Sequence, residues 1–486
     1  SCTPRTHEPL FRATCQAAGL NPYLFEFVNI REHCSWVHMK EPEKATAKAK
    51  TLIRMGAARA ALLEPLQEME IKVEPSAMVI GAGIAGMTSA LCLANLGFNV
   101  YLVEREKEVG GMMRNLYKLF PTGEEALKSL EPVIKNVKNH DKIKLFTSST
   151  VKGIEGYIGN FNVTVGDNTF KVGTIIVATG AEEFEPVGLY GYGKYPNVMT
   201  QLQLEKALKE KTIEPPKNVV MIQCVGARGQ GVSYCSRICC MAAIKNALLL
   251  KELYPESEVV TLHNDIQIHG VEHEEYYRKA RENGVRFLRY TSLPVVTEEN
   301  GLMVKFYDDL LGMDSALPAD LVVLSTPLVQ HPDAENLSRM LKVPLGMDKF
   351  FLEAHVKLRP VDFATEGVFL CGCAHAPADV SESVGQALGA AARAAIPMAR
   401  GSVKAEGITA SLDERLCRGC GECKKICPYN AYEIVKQDGR LVSKINEVMC
   451  KGCGACAISC CNGAITMKHY RDEQVDAMID ALFGVV

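Results

Sequence analysis

The cysteines of this chain are spaced as ligands rather than as disulfide partners. From Cys417 the sequence runs CRGCGECKKICP and from Cys450 CKGCGACAISCC, two copies of C-x2-C-x2-C-x3-C. Three thiolates separated by two residues each can wrap one iron–sulfur cubane, the glycines between them let backbone amides approach sulfur, and the fourth cysteine crosses to the other cluster. That rule assigns Cys417, Cys420, Cys423 and Cys460 to one [4Fe-4S] cluster and Cys450, Cys453, Cys456 and Cys427 to the other. Zinc knuckles also use C-x2-C, but they need four ligands per site and explain neither the repeat nor the crossing cysteine. Cys461 stands where the first copy has Pro428 and is expected to be a packed, unligated thiol.

A second group lies in VVMIQCVGARGQGVSYCSRICCMAAIKNALLL, Val219 to Leu250. This is a strand, a glycine-bearing turn and a helix, the shape of a nucleotide site, with Cys224, Cys235, Cys239 and Cys240 on the turn. Four cysteines converging from a strand end and a helix N-terminus can enclose a cluster, with the helix amides and Arg237 offsetting its negative charge. A redox dithiol of Cys235 and Cys239 is the alternative, although such dithiols are spaced C-x2-C and these are C-x3-C. Four structural thiols is the other. The following strand, EVVTLHNDI, offers no arginine pair for a 2′-phosphate, so nicotinamide binding is not expected.

A complete dinucleotide turn occurs earlier, in AMVIGAGIAGMTSALCLANLGFNVYLVERE. Gly81, Gly83 and Gly86 permit a tight turn and close approach to a pyrophosphate at a helix N-terminus, and Glu104, 18 residues past Gly86, can accept ribose hydroxyls. The next residue, Arg105, and Gly111 in EREKEVGGM extend the cradle. TIIVATGA is a buried strand ending at Ala178, Thr179 and Gly180. EGVFLCGCAHAPADVSESVGQALGAAARAA resembles the segment by which flavoproteins hold the ribityl chain and aim a helix at the pyrimidine end, which places Gly372, Asp379 and Gln386 at an FAD. The acid usual after the glycine of that segment is replaced by Cys373, and Asp379 is its expected stand-in. Cys371 and Cys373 are expected to pack beside the cofactor, and Cys92 to lie in the core.

The elements needed to position these groups fit within 486 residues, enough for three or four domains. A net charge of −3 with no long basic run leaves no footprint for nucleic acid. No stretch reaches the roughly 18 apolar residues of a membrane span. With no basic-then-apolar leader and 19 cysteines, most of them spaced like metal ligands, a reducing cytoplasm is expected. The opening SCTPRTHEP suggests a chain that begins inside a domain.

The expected fold is α/β, a two-dinucleotide-binding, thioredoxin-reductase-like flavoprotein with an N-terminal α/β cluster-domain fragment and a C-terminal α+β domain of two [4Fe-4S] clusters, like a bacterial ferredoxin. The expected boundaries are residues 1–70 for the fragment and a linker helix, 71–214 and 324–404 for the two parts of the FAD domain, 215–323 for an inserted Rossmann-like domain with its own [4Fe-4S] site, 405–472 for the ferredoxin domain and 473–486 for a last helix.

Taken with SCTPRTHEP…NPYLFEFVNIREHCSWVH and CGCAHAPADV, these motifs resemble the iron–sulfur and flavin polypeptide, HdrA, of the coenzyme B–coenzyme M heterodisulfide reductases of methanogenic archaea over nearly the whole chain. The resemblance implies a [4Fe-4S] cluster on Cys224, Cys235, Cys239 and Cys240 beside the FAD. It also implies that Lys245 and Glu205 lie near the isoalloxazine, where a lysine cation favours hydride acceptance. It implies an N-terminal cluster that Cys2 and Cys34 help to ligate, shielded by Trp36, while Cys15 is expected in the core. Members of the family carry a further ferredoxin insert where this chain has the short hairpin NFNVTVGDNTFKVGTIIVATG.

The implied function is flavin-based electron bifurcation. Electron pairs from a hydrogenase or formate dehydrogenase, through its small iron–sulfur subunit, divide between the CoM-S-S-CoB disulfide, cleaved by heterodisulfide reductase subunits B and C, and a soluble ferredoxin. A homodimer within a larger complex is implied, with no membrane or nucleic-acid partner. The alternatives are a related complex with another acceptor, a relay that does not bifurcate, and an NAD(P)H-dependent reductase similar to the small subunit of glutamate synthase.

Overall fold

The computed structural model describes residues 4–269 and 271–484. They form two compact units, one of residues 72–401 and one of the residues before 72 and after 401.

Within 72–401 one layout occurs twice. Strands Val368–Leu370, Thr174–Val177, Ser76–Ile80, Asn99–Val103 and Ile143–Phe146 make a parallel sheet in that order. Every residue of Ser76–Ile80 and Thr174–Val177 is buried, as a strand covered on both faces demands, and for that reason both segments read as apolar runs without alternation. Helices Ile84–Asn95 and Val380–Arg400 pack on each other. Ala90 and Ala94 of the first and Ala387 and Ala391 of the second are buried, and such small residues let helices come close. An antiparallel meander, Val151–Tyr157, Asn160–Val165 and Asn168–Val172, packs Phe161, Val163 and Val165 against Ile175 and Val177 of the sheet.

The second copy orders Val198–Thr200, Leu321–Leu324, Asn218–Ile222, Glu258–His263 and Arg286–Arg289 in parallel. It too carries a meander, Val295–Glu298, Leu302–Asp308 and Met313–Ala319. The two passages of chain between the halves, Ala181–Glu183 and Leu328–Gln330, pair antiparallel. The expected boundary at 215 is too late for this sheet: Val198–Thr200 pairs with Val322–Leu324, and the helix Gln201–Glu210 packs on Cys239–Leu253.

In the other unit the two cysteine runs repeat down to backbone angles. Gly419 and Gly452 have φ of +66° and +64°, and Gly421 and Gly454, which precede helices Glu422–Ile426 and Ala455–Ser459, have +79° and +78°. A Cβ on Gly419 would lie 2.3 Å from the Leu441 carbonyl oxygen, and one on Gly452 2.6 Å from that of Ile408. The hairpin Tyr432–Gln437 with Arg440–Ile445 and the pair Ala410–Leu412 with Ile465–Met467 complete the small core. Helix Asp472–Phe483 packs on Pro42–Ala60, and Arg59 donates to the His469 carbonyl at 2.7 Å. Among the described residues no helix is long and apolar enough to cross a membrane.

Candidate flavin and iron–sulfur sites

The three glycines of the first turn meet different constraints. Gly81, at φ +102°, has no room for a Cβ, which would fall 2.3 Å from the Ala178 carbonyl oxygen. Gly86 packs its helix on the turn so closely that a Cβ would stand 1.8 Å from the Gly81 oxygen. Gly83 has nothing nearer than the Gly111 Cα at 4.0 Å. The first glycine makes the turn, the third seats the helix and the second leaves backbone open to a ligand, as a pyrophosphate site requires. The Gly110 amide donates to the Ala82 carbonyl at 2.8 Å and so lays the Gly110–Gly111 loop beside the turn.

Glu104 is buried and accepts from the Ala82 amide at 2.7 Å and from the Glu106 amide at 3.0 Å. An ionised carboxylate has about four acceptor sites, so this anchoring leaves capacity for a ribose. Thr179 has a buried hydroxyl with no partner, and Gly180, at φ +74°, faces open space. A buried polar group without a partner lacks a hydrogen bond that a bound ligand could supply. Gly372, at φ +65°, lies over Ala85 and donates its amide to the Gln386 side chain at 3.1 Å. Arg105 bonds Glu182 at 3.2 Å. Asp379 is the N-cap of Val380–Arg400 and accepts from the Glu382 amide at 2.8 Å. The cradle fits an FAD.

Cys371 is wholly buried against Ser89, and burial pushes its thiol up to about 12. Cys373 lies against the Ala378 carbonyl at 3.3 Å, also raised by burial. Both behave as packing thiols. Cys92 and Cys15, expected in the core, are only partly covered.

The second turn gathers its four cysteines. Cys224 follows the strand Asn218–Ile222 in the left-handed region at φ +62°, and Cys239 and Cys240 open a helix that no side chain caps. The Cys239 thiol is pushed well above its ordinary value by its bond to Cys240, by burial and by the charges of Cys240, Cys224 and Cys235. Cys240 is held low chiefly by the Cys239 bond, helped by Gln267 and Arg228 against burial. Burial and the charge of Cys240 lift Cys224 to about 11, opposed by Arg228. Thiols that crowd and repel in this way would be relieved by a metal core, whose positive charge stabilises the thiolates while their protons are released to solvent. Among the described residues no three cysteine, histidine or acidic side chains close around a single metal ion. The Gln223 side chain, 1% exposed beside Cys224, has neither its nitrogen nor its oxygen partnered. The grouping fits an iron–sulfur core.

The cation beside these thiols is Arg228, which no sequence motif singles out. Arg237 points its guanidinium at the Pro377 carbonyl, 2.9 Å, and the Glu382 carboxylate, 3.1 Å, and offers the thiols only its amide, 3.4 Å from the Cys235 sulfur.

Lys245 and Glu205 form an ion pair with both side chains 2% exposed. Lys245 also donates to the Lys118 carbonyl at 3.0 Å, and Glu205 accepts from the Tyr117 amide at 2.9 Å. Both therefore reach from helices of the second sheet to backbone of the first half. Burial pulls the Lys245 ammonium below its usual value, and Glu205 partly restores it.

In the smaller unit Cys427, Cys450, Cys453 and Cys456 line one cavity with Tyr432 and Met467, the grouping the crossing rule gives. Cys417 accepts from the Ser443 amide at 3.3 Å and the Gly419 amide at 3.5 Å. Burial, the largest influence, raises Cys417, but these donors together hold it below an ordinary thiol. Cys461 is exposed rather than packed, since the turn after Ala455–Ser459 carries it outward. Cys2 lies outside the described residues. Cys34 is buried with its sulfur 2.9 Å from the Ala45 carbonyl. Trp36 is half exposed beneath the Arg31 guanidinium.

A pyridine nucleotide-disulphide oxidoreductase family model matches residues 75–387, and a 4Fe-4S binding domain model matches residues 410–433. A CoB--CoM heterodisulfide reductase iron-sulfur subunit (A 1) of Methanopyrus kandleri is 40% identical over 588 residues, covering 100% of this chain and 88% of its own. The corresponding polypeptide of the H(2)/formate:CoB-CoM heterodisulfide,ferredoxin reductase of Methanococcus maripaludis is 39% identical, with 100% and 88% covered. A solved thioredoxin reductase of Lactococcus lactis, 18% identical, covers 67% of this chain and 100% of its own with a TM-score of 0.48. Aligning 588 positions with a chain of 486 leaves at least 102 with no counterpart here. The chain is an oxidoreductase of FAD and [4Fe-4S] clusters, and it belongs to the HdrA family, the iron–sulfur A-subunits of CoB–CoM heterodisulfide reductase.

Proposed function

We propose that this chain is the electron-bifurcating subunit of a cytoplasmic heterodisulfide reductase complex of methanogenesis. Its partners are then heterodisulfide reductase subunits B and C, a hydrogenase or formate dehydrogenase with its small iron–sulfur subunit, and a soluble ferredoxin. FAD, when bound, supplies the exchange between electron pairs and single electrons, and the clusters carry electrons singly. The names of relatives support the class of partner, though they differ in donor: H(2)/formate in one, ferredoxin/F(420)H(2) in another.

Each group of residues has a role in this proposal. Gly81, Gly83, Gly86, Gly111, Glu104 and Arg105 hold the dinucleotide from one side, and Ala178, Thr179, Gly180, Gly372, Asp379 and Gln386 from the other. Cys224, Cys235, Cys239 and Cys240 hold the adjacent cluster, the ferredoxin repeat holds two more, and Cys34 with Cys2 contributes to another. Lys245 has three N–H donors, two of them taken by Glu205 and the Lys118 carbonyl. The third is proposed to serve the flavin, with Glu205 fixing the ammonium's position.

The observation that carries the proposal is the gathering of four thiols at the end of the second sheet, where related folds seat a nicotinamide. Iron, sulfide and flavin are to be counted in the anaerobic protein and in Cys240→Ala. A loss of about four irons with FAD retained is expected. Unchanged iron, or bleaching of the flavin by NADPH alone, would overturn it in favour of an NAD(P)H-dependent reductase.

A further inference from the structure

One hairpin serves both cysteine runs of the ferredoxin unit. Tyr432–Gln437 and Arg440–Ile445 pair so that Tyr432 lies opposite Ile445 and Ser443 opposite Ile434. Tyr432 and Ser443 are each 2% exposed. The Tyr432 hydroxyl donates to the Cys456 sulfur at 3.3 Å, and the Ser443 oxygen stands 3.1 Å from the Cys423 sulfur. A sulfur bound to iron carries no proton, so Ser443 must be the donor there. Backbone amides serve the two proposed clusters equally: Ser443 and Gly419 donate to Cys417, and Ala410 to Cys450 and Ala431 to Cys427. The two hydroxyls are the side-chain contribution, one for each run.

A donor aimed at a ligand sulfur stabilises the form with the extra electron, because negative charge on the sulfurs rises when the cluster is reduced. Only the difference in that hydrogen bond's strength between the two redox states moves the potential. Burial of both hydroxyls excludes water as a substitute donor. We infer that Tyr432 and Ser443 separately raise the reduction potentials of the two ferredoxin-type clusters, Tyr432 acting on the one held by Cys456 and Ser443 on the one held by Cys423. They are positioning residues that act through the ligand sulfurs, and the inference rests on the proposed division of the eight cysteines between two clusters.

The test is a redox titration of the full anaerobic chain followed by EPR, taking variant-minus-native difference spectra. Tyr432→Phe keeps the ring and Ser443→Ala keeps nearly all the volume, so iron content is expected to match the native protein. Each variant should make one cluster harder to reduce by about tenfold in its equilibrium constant, about 59 mV for one electron, with the other cluster unmoved. Ser443→Thr, which retains the hydroxyl, should restore the native value. Native potentials in both single variants, or one common shift of both clusters, would overturn the inference. If Tyr432→Phe loses iron, Ser443→Ala against Ser443→Thr still decides the principle. Fewer than two ferredoxin-type clusters in the native protein would instead sink the ligand division itself.

Discussion

The ion pair of Lys245 and Glu205 can be tested by a double-mutant cycle. Replacing Lys245 by methionine leaves the Glu205 carboxylate buried with the Tyr117 amide as its donor, and strips the Lys118 carbonyl of one donor. Breaking a buried pair from one side typically costs about 3–5 kcal/mol, whereas replacing both partners with apolar residues is often neutral or favourable. Lys245→Met should therefore destabilise the 72–401 unit by about 3–5 kcal/mol. Lys245→Met with Glu205→Leu should recover most of that, giving a coupling energy of at least about 3 kcal/mol. Urea unfolding followed by flavin fluorescence measures the loss in the unit that holds the cofactor, provided the m-values agree. Additive effects, with coupling below about 0.5 kcal/mol, would refute the reasoning, because the two side chains would then not share one desolvated site. The recovered double variant also separates stability from chemistry. Folded and loaded with FAD but without the ammonium, it should lose coupled ferredoxin reduction, as Lys245→Ala should where that variant folds.

Two further outcomes follow from the geometry. Gly86→Ala would drive a Cβ into the Gly81 carbonyl and should cost more than about 3 kcal/mol, while Gly83→Ala should leave the melting temperature alone and weaken FAD retention by roughly tenfold or more, read by ultrafiltration. His331 accepts from the Asp333 amide at 3.1 Å, and its pKa is lowered by burial and then by Arg105. The unfolded chain therefore binds the proton first as pH falls, so stability from this group is present above the unfolded value of 6.5 and is lost on acidification below it. His331→Asn should flatten that part of the urea-midpoint profile; a profile unchanged from native would count against the assignment.

What was legible in the sequence was local. Ligand spacing in the cysteine runs and the three glycines of the first turn encode contacts made within a few residues, and the glycines make the turn and helix contacts expected of them. Features that depend on the path of the chain between elements were not legible. Arg237 is nearest the thiols in sequence, but its left-handed backbone, φ +62°, sends the guanidinium to Glu382, and Arg228 takes the place expected of it. The strand Val198–Thr200 has three residues, too few for any periodicity, and is defined by its neighbour Leu321–Leu324. Cys15, Cys92 and Cys461 look alike in sequence as small apolar residues, and only packing decides how far each is covered.

The same limit explains why the second turn looks so much like a nicotinamide site. Its glycines are real turn glycines, but the space they open is already filled. A Cβ on Gly226 would strike the Phe184 ring at 2.3 Å, and one on Gly231 the Gly226 oxygen at 2.8 Å. Phe184 adjoins the crossing strand Ala181–Glu183, far from the turn in sequence, so nothing in CVGARGQG announces it. Gly229, at φ +101°, does face open space, but its amide is spent on the Val232 carbonyl at 2.9 Å. A pyrophosphate needs free amides on an open glycine, as at Gly83, and with Phe184 against Gly226 the turn is better suited to presenting thiols than to cradling phosphate. Phe184→Ala provides the discriminating case. If the lost ring is all that excludes a dinucleotide, the variant should gain NADPH binding without losing iron; if the thiols and their core fill the site themselves, it should gain none.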